Sequence, residues 1–229
     1  MDEPTIVTIH YNTPELTEAL IRSIRKCMGS RPRIVVVENS LDRPLTYTQG
    51  IEVIDNRNGQ LVDFGGVLSM YPDRTPIPNE LCSARHCLTI DACTDIFTDG
   101  FVLLDSDTLV RKNLDELIDE RYAVVSDFDV LPPKWRCVER FLPYCQWINV
   151  PMLRTHAIRY FNGEWMWKLT NKLPNKWYDT GAWLFKIVRE RKLPWKRIHH
   201  LDYVAHLGHA SFGNRYEDFL TKNKDLWQD

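Results

Sequence analysis

Two carboxylates one residue apart, Asp105-Ser106-Asp107, directly follow the apolar run Phe101–Leu104. A short apolar run of this kind reads as a buried strand, and in open parallel sheets ligands bind beyond the strands' C-terminal ends. Side chains two apart in an extended segment point the same way, so both carboxylates can converge on one ligand. Bent into a turn, they would address its opposite ends. In either geometry the two charges repel unless a cation or protons offset them. Mg²⁺ and Mn²⁺ take oxygen ligands and share them with phosphates, so a divalent ion of this type is the expected cofactor.

The elements that must position this pair are legible upstream. Thr5–His10 is a β-branched strand. Asn12-Thr13-Pro14-Glu15 is a helix entry, and Leu16, Leu20, Ile21 and Ile24 recur at helical spacing up to Cys27 or Met28. Arg33–Glu38 and Ile51–Ile54 predict two more strands, the second closed by the turn-forming Asp55-Asn56-Arg57-Asn58-Gly59. Residues 80–98 predict a helix, and Ala123–Ser126 a further strand. Continuous apolar strands alternating with helices argue for an α/β unit with a mostly parallel sheet. From about residue 131 prolines interrupt the pattern and tryptophans accumulate. That half is expected to be irregular and wrapped onto the same sheet, making 1–229 a single domain of two parts, 1–130 and 131–229.

Composition narrows the function classes. Hydrophobic residues at 44% and charged residues at 26% describe a globular chain, not a disordered one. A net charge of -2 gives no electrostatic case for nucleic acid. No apolar stretch is long enough to span a bilayer, and the start Met-Asp-Glu-Pro is unlike a signal peptide. The six cysteines are scattered without a C-x-x-C pair, which suits reduced core thiols and a cytoplasmic location, with peripheral membrane contact open.

A series of short motifs precedes the acidic pair: Thr8-x-x-Tyr11-Asn12-x-Pro14, Glu38-Asn39-Ser40, Asn56-x-Asn58-Gly59 and Ser83-Ala84-Arg85-His86. In this order, and ending on Asp105-x-Asp107, they resemble a family 2-type glycosyltransferase of the GT-A (Rossmann-like) fold. The resemblance implies a nucleotide-sugar donor, UDP-linked by preference, and a glycan or lipid-linked acceptor. It implies donor contacts from Thr8, Tyr11, Asn12, Glu38, Asn58, Arg85, His86, Asp105 and Ser106, with Asp107 on the metal. Some GT-A enzymes carry a late His-x-Gly-x-x-Ser, similar to His206-Leu-Gly-His209-Ala-Ser211, whose His completes the metal shell; His206 matches it, with His209 the second choice. The resemblance also implies an inverting transfer, for which a carboxylate must take the acceptor's proton. Asp179, beside Trp177 and Tyr178 and near Trp183, holds the matching position, and these aromatics would stack on the acceptor.

Other readings compete. Asp179-Thr180 also stands where it could cap a helix over Ala182–Val188, with Gly181 leaving room for a substrate. Asp127 and Asp129 read as solvated turn residues, and the adjacent His199 and His200 as structural. Leu103–Thr108 also resembles the first motif of haloacid-dehalogenase-like phosphatases, although that motif closes the first strand of its domain and here three strands precede it. A non-catalytic carbohydrate-binding protein on the same fold is the remaining alternative.

Overall fold

The computed structural model describes residues 3–29, 31–65, 67, 78–129, 138–166, 179–208 and 216–228. Strands β1 (Thr5–His10), β2 (Arg33–Glu38), β3 (Glu52–Asp55) and β4 (Phe101–Asp105) form one parallel block in the order β4-β1-β2-β3. The apolar runs of β1, β2 and β4 are continuous because both faces are covered, whereas β3, at the sheet edge, is largely exposed. Val7, Ile9, Val35, Val37 and Leu103 face one core layer, while Ile6, Val36, Val102 and Leu104 face the other. Helix α1 (Pro14–Met28) lays Leu20, Ile21 and Ile24 on the second layer. It starts with proline in its first turn, and Gly29 ends it at φ 68°. Helix α2 (Pro78–Ile96) covers the first layer with Ala84, Cys87, Ile90 and Cys93.

The second half enters the sheet itself, which its proline-rich texture concealed. After β5 (Thr108–Val110), β6 (Val124–Ser126), β7 (Phe128–Asp129) and β8 (Arg140–Phe141), strand β9 (Cys145–Ile148) inserts antiparallel between β4 and β6. Strand β10 (Trp195–Arg197) then pairs parallel with β6, completing the seven-stranded order β10-β6-β9-β4-β1-β2-β3. Helices α3 (Val150–Thr155) and α4 (Ala182–Glu190) sit on this half. Two small ladders complete it: β7 with β8, and β5 with β11 (Val204–His206). The final helix α5 (Tyr216–Lys222) and its extension rest Phe219, Leu220, Leu226 and Trp227 on Ala19, Leu109 and Ala205. The fold is thus α/β with a mostly parallel sheet and helices on both faces. No described helix is long and apolar enough to cross a membrane.

Helix α2 is tied to the chain after α3 by one buried carboxylate. Asp91 accepts from the Tyr160 and Phe161 amides at 2.6 and 2.9 Å. Burial pushes its pKa up to about 7 against these hydrogen bonds. An acid whose folded pKa lies above its unfolded value holds the folded state best below the unfolded pKa. That advantage is lost as pH rises from about 4 through 7, over a span on the order of 4 kcal/mol. Denaturant titrations between pH 4 and 8 should show the wild type losing stability with rising pH and Asp91→Asn following a flatter course. Parallel curves for the two would contradict it.

Candidate metal and nucleotide site

The acidic pair is placed by two ladders. Strand β4 delivers Asp105 at its end, and the Thr108 hydroxyl closes the following turn on the Asp105 carbonyl at 2.7 Å. The chain turns straight into β5, whose partner β11 sets Thr108 opposite His206. The Leu207 amide then reaches the Asp107 carbonyl at 3.0 Å. As a result His206 Nε2 stands 3.4 Å from Asp107 Oδ1. One ligand atom each from Asp105, Asp107 and His206 falls within 4.8 Å of the others. Two carboxylate oxygens and an imidazole nitrogen so close together fit a divalent cation of the Mn²⁺ type.

The electrostatics point the same way. Burial first, and then the neighbouring Asp107 charge, raises the Asp105 pKa above the usual carboxylate range. A cation beside the two carboxylates would offset both the burial and the repulsion. On the far side of Asp105, His86 Nε2 lies 3.5 Å from Asp105 Oδ1, and its Nδ1 lies 3.3 Å from the Thr180 hydroxyl. Burial lowers the His86 pKa to about 4, so the ring is neutral near pH 7 and donates from only one nitrogen. It orients groups here without adding charge.

Asp179 stands beside the same cluster, next to Thr180, whose hydroxyl meets His86. Its Oδ1 accepts from the Ser83 hydroxyl and the Thr180 amide, both at 2.8 Å, and its Oδ2 is paired with Arg140. Its side chain does not cap α4: Gly181 is the N-cap, and the Asp179 carbonyl, not the carboxylate, receives the Ala182 amide. Gly181 does not leave room for a substrate either. It has φ 86°, and a Cβ there would run into the Phe141 carbonyl. Gly181→Ala is therefore expected to cost about 2–4 kcal/mol of stability in denaturant unfolding; an unchanged midpoint would show that the turn adjusts.

The other expected donor residues divide. Tyr11 is exposed at the end of β1, and Asn12, at φ 56°, accepts the Ser40 hydroxyl. Arg85 sits on α2 with its guanidinium 5.4 Å from the Phe64 ring, and Ser106 is half-buried between the two acids. Asn58 is exposed on its turn. Two expectations are corrected. Thr8 is fully buried within the sheet, its hydroxyl without a partner among the described residues, so it is not exposed to a donor. Glu38 is buried too, its oxygens taken by the Ser40 amide at 2.7 Å and the Leu45 amide at 2.6 Å. It shapes the 39–45 loop instead of meeting a base or ribose.

In the second half, Asp127 is not a solvated turn residue: it is buried and receives His200 Nδ1 at 2.8 Å. Asp129 lies 3.9 Å from Arg140 Nε. Trp183 packs on Trp165 at 5.4 Å between ring centroids. Trp177, Tyr178 and His209 lie outside the described residues. Sequence reading missed Arg140 and Tyr144, which carry no motif of their own; the only signal was their place among charged and aromatic residues after the prolines.

No protein-family profile matches the chain, and no curated protein matches it by sequence. Solved structures do match by shape. The galactosyltransferase LgtC, in complex with donor and acceptor sugar analogs, is 13% identical; the match covers 85% of this chain and 73% of that one, with a TM-score of 0.50. Mouse xyloside xylosyltransferase 1 is 12% identical over 85% of this chain and 84% of its own, at 0.49. The glycosyltransferase GlyE of Streptococcus pneumoniae TIGR4 is 13% identical at 0.48, over 98% of this chain and half (50%) of that one. The fold is that of GT-A glycosyltransferases. The phosphatase alternative finds no support in these likenesses.

Proposed function

We propose that this chain is a glycosyltransferase that moves a sugar from a nucleotide-diphosphate donor, by preference a UDP-sugar, to a hydroxyl of a glycan or lipid-linked saccharide. The observation that carries the reading is the Asp105–Asp107–His206 cluster at the end of a central parallel strand, where ligands of open α/β sheets bind. A cation held there supplies charge that offsets the diphosphate as it leaves. Asp105, Asp107 and His206 hold that cation, and the positive Arg85 adds a phosphate contact. Neutral His86, between Asp105 and Thr180, keeps the two aligned.

Asp179 is the candidate for the acceptor side. In an inverting transfer it accepts the acceptor's proton, with Ser83, Thr180 and Arg140 holding the carboxylate in place. The exposed Tyr11 and Asn58 suit the donor's nucleoside, and Trp177, Tyr178 and Trp183 the acceptor. The same reading includes action at the cytoplasmic side, with peripheral membrane contact and no nucleic-acid partner. Calorimetric titration with UDP and with GDP, each with and without Mn²⁺, tests it: UDP should bind only with the metal. Absence of binding by both nucleotides in both conditions would overturn it.

A further inference from the structure

Tyr144, in the turn between β8 and β9, meets the candidate site through three different groups. Its carbonyl accepts the Asp105 amide at 3.4 Å. Its ring lies on the His206 imidazole, centroids 3.7 Å apart and planes inclined by 30°. Its hydroxyl accepts from Arg140 Nη2 at 2.9 Å, and Arg140 in turn pairs with Asp179. On the other side the ring stands 5.5 Å from His200, which buried Asp127 holds by Nδ1. The phenol is thus tethered at its tip while its face meets a candidate metal ligand.

A metal-ligating histidine needs its plane fixed, and a hydrogen bond to the nitrogen away from the metal usually does this. Among the described residues no hydrogen bond reaches Nδ1 of His206, and the Tyr144 ring is stacked on the imidazole. The stacked ring is what remains to set the imidazole. We propose that Tyr144 is a positioning residue of the metal centre: its ring fixes the plane in which His206 presents Nε2, and its hydroxyl, anchored by Arg140, holds the ring in place. The inference rests on reading Asp105, Asp107 and His206 as a cation site. It assigns a tyrosine from the turn before β9, the strand beside β4, to the first requirement of that site, ligand orientation.

The test is the affinity for Mn²⁺ alone, read from the electron paramagnetic resonance signal of the free ion, with no nucleotide or sugar present. Tyr144→Leu removes the ring and should weaken Mn²⁺ binding about 10-fold or more, the usual cost of losing an orienting partner. Tyr144→Phe keeps the ring and should stay within about 3-fold of the wild type. In a His206→Ala background Tyr144→Leu should add nothing, because the two act as a unit. Melting without metal checks folding, and Tyr144→Met, which keeps bulk without a flat ring, replaces the leucine variant should that one unfold. Wild-type affinity in the ring-less variants, alongside lost binding in Asp107→Ala, would overturn the role of Tyr144 and leave the site reading intact. Mn²⁺ binding that survives Asp107→Ala would overturn the site reading itself and this inference with it.

Discussion

Asp107→Ala should abolish metal-dependent nucleotide binding, raising the dissociation constant for UDP in Mn²⁺ by about 100-fold or more, roughly 3 kcal/mol. Asp107 is held through both its backbone and its side chain. Its carbonyl is fixed by the Leu207 amide, and its carboxylate stands 3.4 Å from His206. Removing it leaves two donors, too few for an ion that prefers about six oxygen or nitrogen ligands. It also removes a like charge beside Asp105, so the raised pKa of Asp105 should move back toward the ordinary carboxylate range. The backbone turn at 105–108 should persist, because the Thr108 hydroxyl and the β5–β11 ladder hold it. Calorimetry with and without Mn²⁺, beside a melting curve, separates lost binding from lost folding. UDP affinity equal to the wild type in Mn²⁺ would remove Asp107 from the metal.

Asp179→Asn should give the opposite profile, donor binding retained and turnover lost. The amide oxygen can still accept from Ser83 and from the Thr180 backbone, so the local turn is kept. What disappears is the negative charge paired with Arg140 and the capacity to take a proton. General-base catalysis contributes about 10²–10⁴-fold, and a loss of that size in kcat with UDP affinity unchanged is the expected outcome. Following the anomeric signal of the product by NMR adds the stereochemistry. An inverted product lost with the variant supports the base, whereas transfer near the wild-type rate in Asp179→Asn excludes it.

Local chemistry determined a definite share of this protein. The strands at 5–10, 33–38 and 101–105 were legible because residues buried on both faces leave an uninterrupted apolar run. Helix α1 was legible to within one residue of its end because its apolar spacing, entry proline and terminal glycine agree. The acidic pair could be placed at a strand end for the same reason. Strand β9 could not: Gln146 breaks its apolar run, and its slot between β4 and β6 is fixed by partners distant in sequence. Likewise a motif order cannot tell whether a carboxylate faces a cleft or a loop's own amides, and that distinction moved Glu38 out of the site and Asp127 into a buried pair. The meeting of Asp107 with His206, and of Tyr144 with both halves, belongs to tertiary structure alone. Periodicity records which side of a segment is buried, but a polar group's role depends on which partner satisfies it, and those partners are brought together only when the sheet closes.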